Sequence, residues 1–327
     1  MSQPIRWGIL GTGGIADSFV KDLLAVGLTV TAVGSRTQES ADAFAQKFGV
    51  AAAHGSYEAL VADPSVDVVY VATPHTFHAE NALLAIGAGK HVLVEKAFTL
   101  NGAEAQRVAD AAAQAGVVVM EAMWTRFLPH MVRIREIIAA GTLGDVRTVI
   151  ADHGQKLPSD PNHRINNPAL GGGGLLDLAI YPVSFAVDIL GLPTRVLASA
   201  TMTATGVDRQ TALIFEHEGG RQSISQSALD ASGPVRGAVI GTEAWIDIDR
   251  WWYDATSFTV YDAQHEVIER FEQPVVSRGM QYEALEIERV IAAGEKESPL
   301  MPLGQSVAIM RVLDEVREQI GLHYPGE

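Results

Sequence analysis

Five short apolar runs divide the first 122 residues: IRWGIL (5–10), LTVTAVG (28–34), VDVVYVA (66–72), HVLVE (91–95) and VVVMEA (117–122). Between them lie segments of helical spacing, ESADAFAQKF, HAENALLAIGAG and NGAEAQRVADAAAQAG. Strands apolar on both faces must be covered on both faces. A helix between successive strands supplies both the cover and the crossover that parallel pairing needs. The pattern predicts a doubly wound α/β domain over residues 1–122.

After Ala122 the grammar changes. A helix (HMVRIREIIAAG) and a strand (GDVRTVIADH) precede a Pro- and Asn-containing loop, the run GGGG and a long apolar helix, LLDLAIYPVSFAVDILG. Alternating strand-like runs follow, among them RQSISQSAL, AWIDIDRW and SFTVYDAQHEVIERF, and two helices close the chain. Turn residues between the runs predict an α+β domain over 123–327, built on a large, mostly antiparallel open sheet. A chain of 327 residues exceeds what one core usually supports, in keeping with two domains.

A hydrophobic fraction of 47% against 19% charged residues indicates a globular rather than a disordered chain. The formal net charge of −15 argues against nucleic acid and anionic membrane as partners, so an anionic ligand must be held locally. No uninterrupted apolar run has the length to span a bilayer, and the N-terminus lacks the pattern of a secretory signal. Cysteine is absent, which removes thiol chemistry and fits a cytoplasmic location. The histidines form no H-E-x-x-H pattern, so no metal is expected.

Gly11, Gly13 and Ala16 fill a G-x-G-x-x-A spacing between the first strand and a helix. In that context Gly11, Thr12, Gly13, Gly14 and Ile15 form a turn that admits a pyrophosphate to the N–H groups of the helix start. The second strand leads into Ser35, Arg36 and Thr37, where a free ribose 2′-hydroxyl would call for a carboxylate. A guanidinium and hydroxyls suit a 2′-phosphate, which favours NADP and leaves NAD possible. The alternative is an ordinary surface arginine.

Ligands of such sheets bind beyond the carboxyl ends of the strands. Thr73, His75 and His78 lie past the third apolar run, and Glu95 and Lys96 end the fourth. All are placed beside the nicotinamide, against plain loop hydrogen bonding for the histidines and a surface ion pair for Lys96. Trp124, in EAMWTRF after the last run, is a candidate to stack on substrate or simply to pack between domains; Trp251 and Trp252 are weighed in the same way. On the long helix Asp177 and Tyr181 are four residues apart and share a face, continued by Ser184 and Asp188. Pro182 cannot donate to Leu178, which predicts an irregularity near Tyr181. A tyrosine acts as acid or base when a cation favours its phenolate, so Lys96 and Tyr181 make chemical sense as a pair.

GILGTGGIA, the Ser-Arg pair, ATPHTFH, VEKAFTLN, EAMWTRFLP and GGGGLLDLAIYPV fall in an order that resembles the glucose–fructose oxidoreductase / inositol dehydrogenase (Gfo/Idh/MocA) family. Within it, EAMWTRF and D-L-x-I-Y-P look most like the NADP-dependent dimeric dihydrodiol and D-xylose dehydrogenase branches. The resemblance implies that Lys96 is catalytic, that Tyr181 is the acid/base, that Asp177 orients substrate and that Arg164 contacts cofactor. Ala97 departs from the family's usual proline, often preceded by a cis bond. The expected activity is hydride transfer between NADP(H) and a sugar, polyol or cyclic vicinal diol, with Lys96, Trp124, Asp177 and Tyr181 around the substrate. A non-catalytic NADP-binding regulator and an enzyme with a non-dissociating cofactor remain the alternatives. A homodimer through the C-terminal sheet is expected, because that sheet would otherwise expose an apolar face.

Overall fold

The computed structural model describes residues 4–327 and resolves them into two compact units. The first runs to Trp124 and takes in Val276–Val307; the second comprises Thr125–Val275 and Ala308–Glu327.

The first unit carries a six-stranded sheet of β1 (Arg6–Leu10), β2 (Thr29–Gly34), β3 (Ala52–His54), β4 (Val68–Val71), β5 (His91–Glu95) and β6 (Val119–Ala122). The order is β3-β2-β1-β4-β5-β6 and every pairing is parallel. Helices α1 (Gly14–Ala25), α2 (Gln38–Phe48), α3 (Tyr57–Val61), α4 (His78–Gly87) and α5 (Gly102–Ala115) make the crossovers. Val68, Val69, Val92, Leu93 and Val94 are all inaccessible to solvent, as strands covered on both faces require. The strand order reverses between β1 and β4, and ligands of open α/β sheets enter at such a reversal. The strand β3 was not anticipated: three residues, Ala-Ala-His, carry too little apolar signal.

The second unit holds α6 (Pro129–Ala139), β7 (Val146–Gly154), α7 (Ile180–Leu190), β8 (Pro193–Met202), β9 (Asp208–His217), β10 (Arg221–Ala228), β11 (Gly237–Gly241), β12 (Ala244–Ile248), β13 (Phe258–Asp262) and β14 (Val267–Phe271). Their order is β14-β13-β12-β11-β7-β10-β9-β8, antiparallel throughout except for the parallel pair β7–β10. Helix α7 packs on β7 and β10. On the other face, Leu197, Ile214, Ile224 and Ile150 stand directly opposite one another across four strands and are 38–43% exposed. Pro168–Leu190 is the one helical stretch among the described residues with the length and mean hydropathy, 1.5, to cross a membrane, and 89% of its apolar window is buried. It is a core segment.

Residues Val276–Val307, with α8 (Gln281–Ala293), belong to the first unit, which corrects a boundary that left everything past 122 in the second domain. The reason is specific bonding. The Trp7 indole donates to Glu288 at 2.8 Å. The Asp22 carboxylate on α1 accepts the N–H groups of Gly279 and Met280, each at 2.8 Å, and the Ser277 hydroxyl. No side chain at the N-cap position serves the start of α8, so a carboxylate remote in sequence does so.

Candidate active site

The glycine turn follows β1. Gly11 has φ +107°, and a Cβ there would lie 2.9 Å from the Ala72 carbonyl oxygen, so only glycine fits. Thr37, Ser56 and Asn101 cap α2, α3 and α5 with their side chains. Helix α1 has Gly13 at its N-cap and no side-chain cap. A Cβ at Gly13 or Gly14 would meet nothing within 4 Å. The helix thus begins without a side-chain cap and with room beside Gly13 and Gly14, which fits the pyrophosphate of a dinucleotide. The Ser35 hydroxyl lies 3.3 Å from that of Thr12, Arg36 is exposed, and Thr37 is committed to its cap. Ser35 and Arg36 stand at the end of β2, where the ribose of a dinucleotide lies in such folds.

Beyond β4 and β5, His78 joins two loops. One ring nitrogen lies 2.8 Å from the Thr73 carbonyl oxygen and the other 2.8 Å from that of Ala97. Burial lowers its pKa to about 4, with the Lys96 charge acting the same way. His78 thus sits between the Thr73 loop and the Lys96 loop, and its neutral ring, with one N–H, donates to one of these two carbonyl oxygens. His75 is buried beside it, ring centroids 5.5 Å apart. The Lys96–Ala97 peptide bond is cis and Lys96 is half-buried. The Glu95 carboxylate accepts the Tyr70 hydroxyl. Burial raises the Glu95 pKa, while the Lys96 ammonium opposes the rise. Trp124 is 2% exposed, with the Arg278 guanidinium 4.9 Å from its ring centroid.

Sequence reasoning missed Arg278, and it missed Glu283. The latter is inaccessible to solvent, and neither carboxylate oxygen has a hydrogen-bond partner. Burial pushes its pKa well up, and Glu95, Asp22 and Glu121 add to the shift. Such a setting disfavours the charged form of the carboxyl.

In the second unit, a π-helical turn over Leu175–Ala179 precedes α7, the irregularity expected beside Pro182. Asp177 and Tyr181 are 7% and 6% exposed, so they line the interior rather than solvent. Arg164 pairs with Asp177 at 3.2 Å. The remainder of the polar stripe is committed to the fold: Ser184 receives Arg126 at 2.9 Å, and Asp188 receives Arg135 at 2.8 Å. Tyr181 has two aromatic neighbours that the sequence did not single out, His153 at 5.0 Å and Tyr253 at 5.1 Å between ring centroids. Trp252 is buried against Phe185 and donates to the Asp152 carbonyl, whereas Trp251 is 40% exposed.

The glycine run is packed hard: a Cβ at Gly172 would lie 2.7 Å from the Ile165 carbonyl oxygen, and one at Gly173 would lie 2.3 Å from Asp208 Oδ1. Asp208 is inaccessible to solvent, accepts the Thr211 hydroxyl at 2.8 Å and faces the N–H groups of Gly174 and Leu175. Burial raises its pKa to about 6, against those hydrogen bonds. The Tyr324 hydroxyl donates to the Gly172 carbonyl at 2.8 Å and ties down the same loop.

A parallel sheet of this order, opening on an uncapped glycine turn, defines a Rossmann-type dinucleotide-binding scaffold. Residues 5–123 match an oxidoreductase family with an NAD-binding Rossmann fold, and residues 131–247 match the GFO/IDH/MocA C-terminal domain. The chain belongs to the GFO/IDH/MocA family. It is 36% identical over 334 residues to trans-1,2-dihydrobenzene-1,2-diol dehydrogenase of Mus musculus, with 98% of each chain covered. It is 35% identical over 366 residues to D-xylose 1-dehydrogenase (NADP(+)) of Hypocrea jecorina, covering 98% of this chain and 93% of that one. Among solved structures, an aldose-aldose oxidoreductase from Caulobacter crescentus has a TM-score of 0.88 at 24% identity, with 97% of each chain covered.

Proposed function

We propose that this protein is a cytoplasmic dehydrogenase transferring hydride between NADP(H) and a hydroxyl-bearing carbon of a sugar, polyol or cyclic vicinal diol. The observation that carries the reading is the buried pair on the glycine-led helix: Asp177, held by Arg164, one turn before Tyr181. Full-length similarity to a diol dehydrogenase and an NADP-dependent sugar dehydrogenase supports the substrate class. Arg36 after β2, where no carboxylate stands, supports NADP over NAD.

The bound nicotinamide supplies a hydride acceptor at its C4 carbon. Tyr181, as its phenolate, takes the hydroxyl proton, and the Lys96 ammonium is assigned to stabilise developing negative charge. Asp177 accepts a hydrogen bond from a neighbouring hydroxyl and so selects polyhydroxylated substrates. Gly13, Gly14 and Ile15 receive the pyrophosphate, and Thr12, Ser35 and Arg36 the phosphorylated ribose.

Turnover of D-xylose, D-glucose and trans-cyclohexane-1,2-diol, measured with NADP+ and NAD+ in parallel by nicotinamide absorbance, tests the reading. Lys96→Met is expected to lower kcat by at least ~100-fold while NADP affinity holds. Wild-type turnover by that variant would remove Lys96 from the chemistry. Binding of NADP without turnover of any probe would point to a regulator.

A second copy of this chain covers the isoleucine–leucine row of the open sheet face in this reading. An apolar row spanning four strands is the kind of surface that self-association buries. Ile224→Lys is then expected to convert a dimer into a monomer in sedimentation velocity. An unchanged dimer would move the interface elsewhere.

A further inference from the structure

Tyr181 lies in a three-ring cluster within the second unit. The His153 ring stacks on that of Tyr253, centroids 4.0 Å apart and planes 24° from parallel. Tyr181 meets His153 edge-on at 5.0 Å and 67°, and meets Tyr253 at 5.1 Å and 49°. The two neighbours are themselves fixed. Gln155 Nε2 donates to the Tyr253 hydroxyl at 3.1 Å and lies 2.8 Å from His153 Nε2. The Tyr253 carbonyl receives the Thr125 hydroxyl at 2.6 Å, so this backbone is anchored as well. His153 closes β7, against which α7 packs.

Resting on the reading of Tyr181 as the acid/base, we infer that His153 and Tyr253 are positioning residues for Tyr181, and that Gln155 locks the pair. Structural packing alone calls only for bulk against Tyr181. The polar tie through Gln155 does more: it holds the imidazole and the Tyr253 hydroxyl at fixed points, and so fixes the two ring surfaces against which the Tyr181 ring rests. Proton transfer depends steeply on such placement; a misplacement of about 1 Å can cost on the order of 100-fold in rate.

The test uses the full-length protein with NADP+ and whichever of D-xylose and trans-cyclohexane-1,2-diol it turns over faster, protiated or deuterated at the oxidised carbon. His153→Ala is expected to lower kcat by about 10- to 100-fold. NADP affinity should be unchanged and the primary deuterium isotope effect on kcat should rise, because the chemical step becomes limiting. His153→Phe, which keeps a ring in the stack, is expected to recover part of the rate. Gln155→Leu leaves all three rings in place and is expected to shift rate and isotope effect in the same direction by a smaller factor. A merely destabilised enzyme would lose active fraction with the isotope effect unmoved, and that outcome overturns the inference. So does wild-type kcat in His153→Ala. Should that variant fail to fold, Gln155→Leu decides: a wild-type rate and isotope effect overturn the inference. Tyr181→Phe separates the two claims. Full turnover by it, or none of either probe by the wild type, removes the reading of Tyr181 and the inference with it. An inactive Tyr181→Phe beside indifferent His153 and Gln155 variants sinks the inference alone.

Discussion

The chain uses a glycine run before a helix twice, and the two runs meet opposite surroundings. At Gly13 and Gly14 an added Cβ would touch nothing within 4 Å, and no side chain caps α1. At Gly172–Gly174 each added Cβ would press on carbonyl or carboxylate oxygens, and the Asp208 carboxylate faces the helix start from β9. Both helix starts present N–H groups that favour a negative partner. One leaves the place open for an anion from outside; the other is filled from within by Asp208, 35 residues beyond Gly173. Glycine ahead of a helix therefore marks close approach, and only the surroundings say whether a ligand or the protein itself makes that approach.

The largest effect that separates the two belongs to the closed run. Gly173 has φ +117°, and its Cβ would overlap Asp208 Oδ1. Gly173→Ala is expected to cost about 3–5 kcal/mol or to leave no folded protein, from backbone strain and overpacking together. Chemical denaturation measures it, and a loss under 1 kcal/mol would show that the run is not packed as described.

The internal anion gives the next effect through pH. Asp208 has its folded pKa raised to about 6 by burial, above its unfolded value. A raised carboxyl contributes stability that is complete below the unfolded pKa and is lost as pH climbs through the folded one. Asp208→Asn cannot titrate. The stability of wild type relative to this variant is expected to fall by on the order of 3 kcal/mol between pH 4 and pH 7. Other carboxylates cancel in that difference, which thermal melts of the two proteins across pH report. A difference that is flat with pH would mean that the carboxylate stays charged throughout, as a ligand-like anion would.

What the sequence made legible follows the same division. The parallel strands announced themselves because burial on both faces demands unbroken valine and isoleucine, as in Val68–Val71 and Val92–Val94. The open glycine turn was legible because its spacing is local and its neighbours follow directly in sequence. Asp177 and Tyr181 were legible because four residues on a helix fix a shared face. The strand β3, the return of α8 to the first unit, the packing of Asp208 against the glycine run and the His153–Gln155–Tyr253 tie were not. Each depends on partners far apart in the chain, Asp22 with Met280 or Gln155 with Tyr253, and no periodicity encodes such a meeting. Ser184 and Asp188 share a stripe with Tyr181, yet Arg126 and Arg135 claim them, so a face shared on a helix does not imply a shared role.

The smallest expected change in stability sharpens the comparison from the open side. Gly13 has φ −77°, which any residue adopts, and free space where its Cβ would go. Gly13→Ala is therefore expected to alter the stability of the ligand-free protein by no more than about 1 kcal/mol, the difference between a neutral and a poor N-cap. In the proposed reading its effect belongs to the ligand: the added methyl would stand where a pyrophosphate approaches the backbone, and NADP affinity is expected to fall by at least ~10-fold. Melting of the free protein and fluorescence titration with NADPH read the two quantities separately. Undiminished affinity would mean that the uncapped start of α1 is not where the dinucleotide lies. A large loss of stability would mean that this run, like the one at Gly172–Gly174, is filled by the protein, and the contrast between them would disappear.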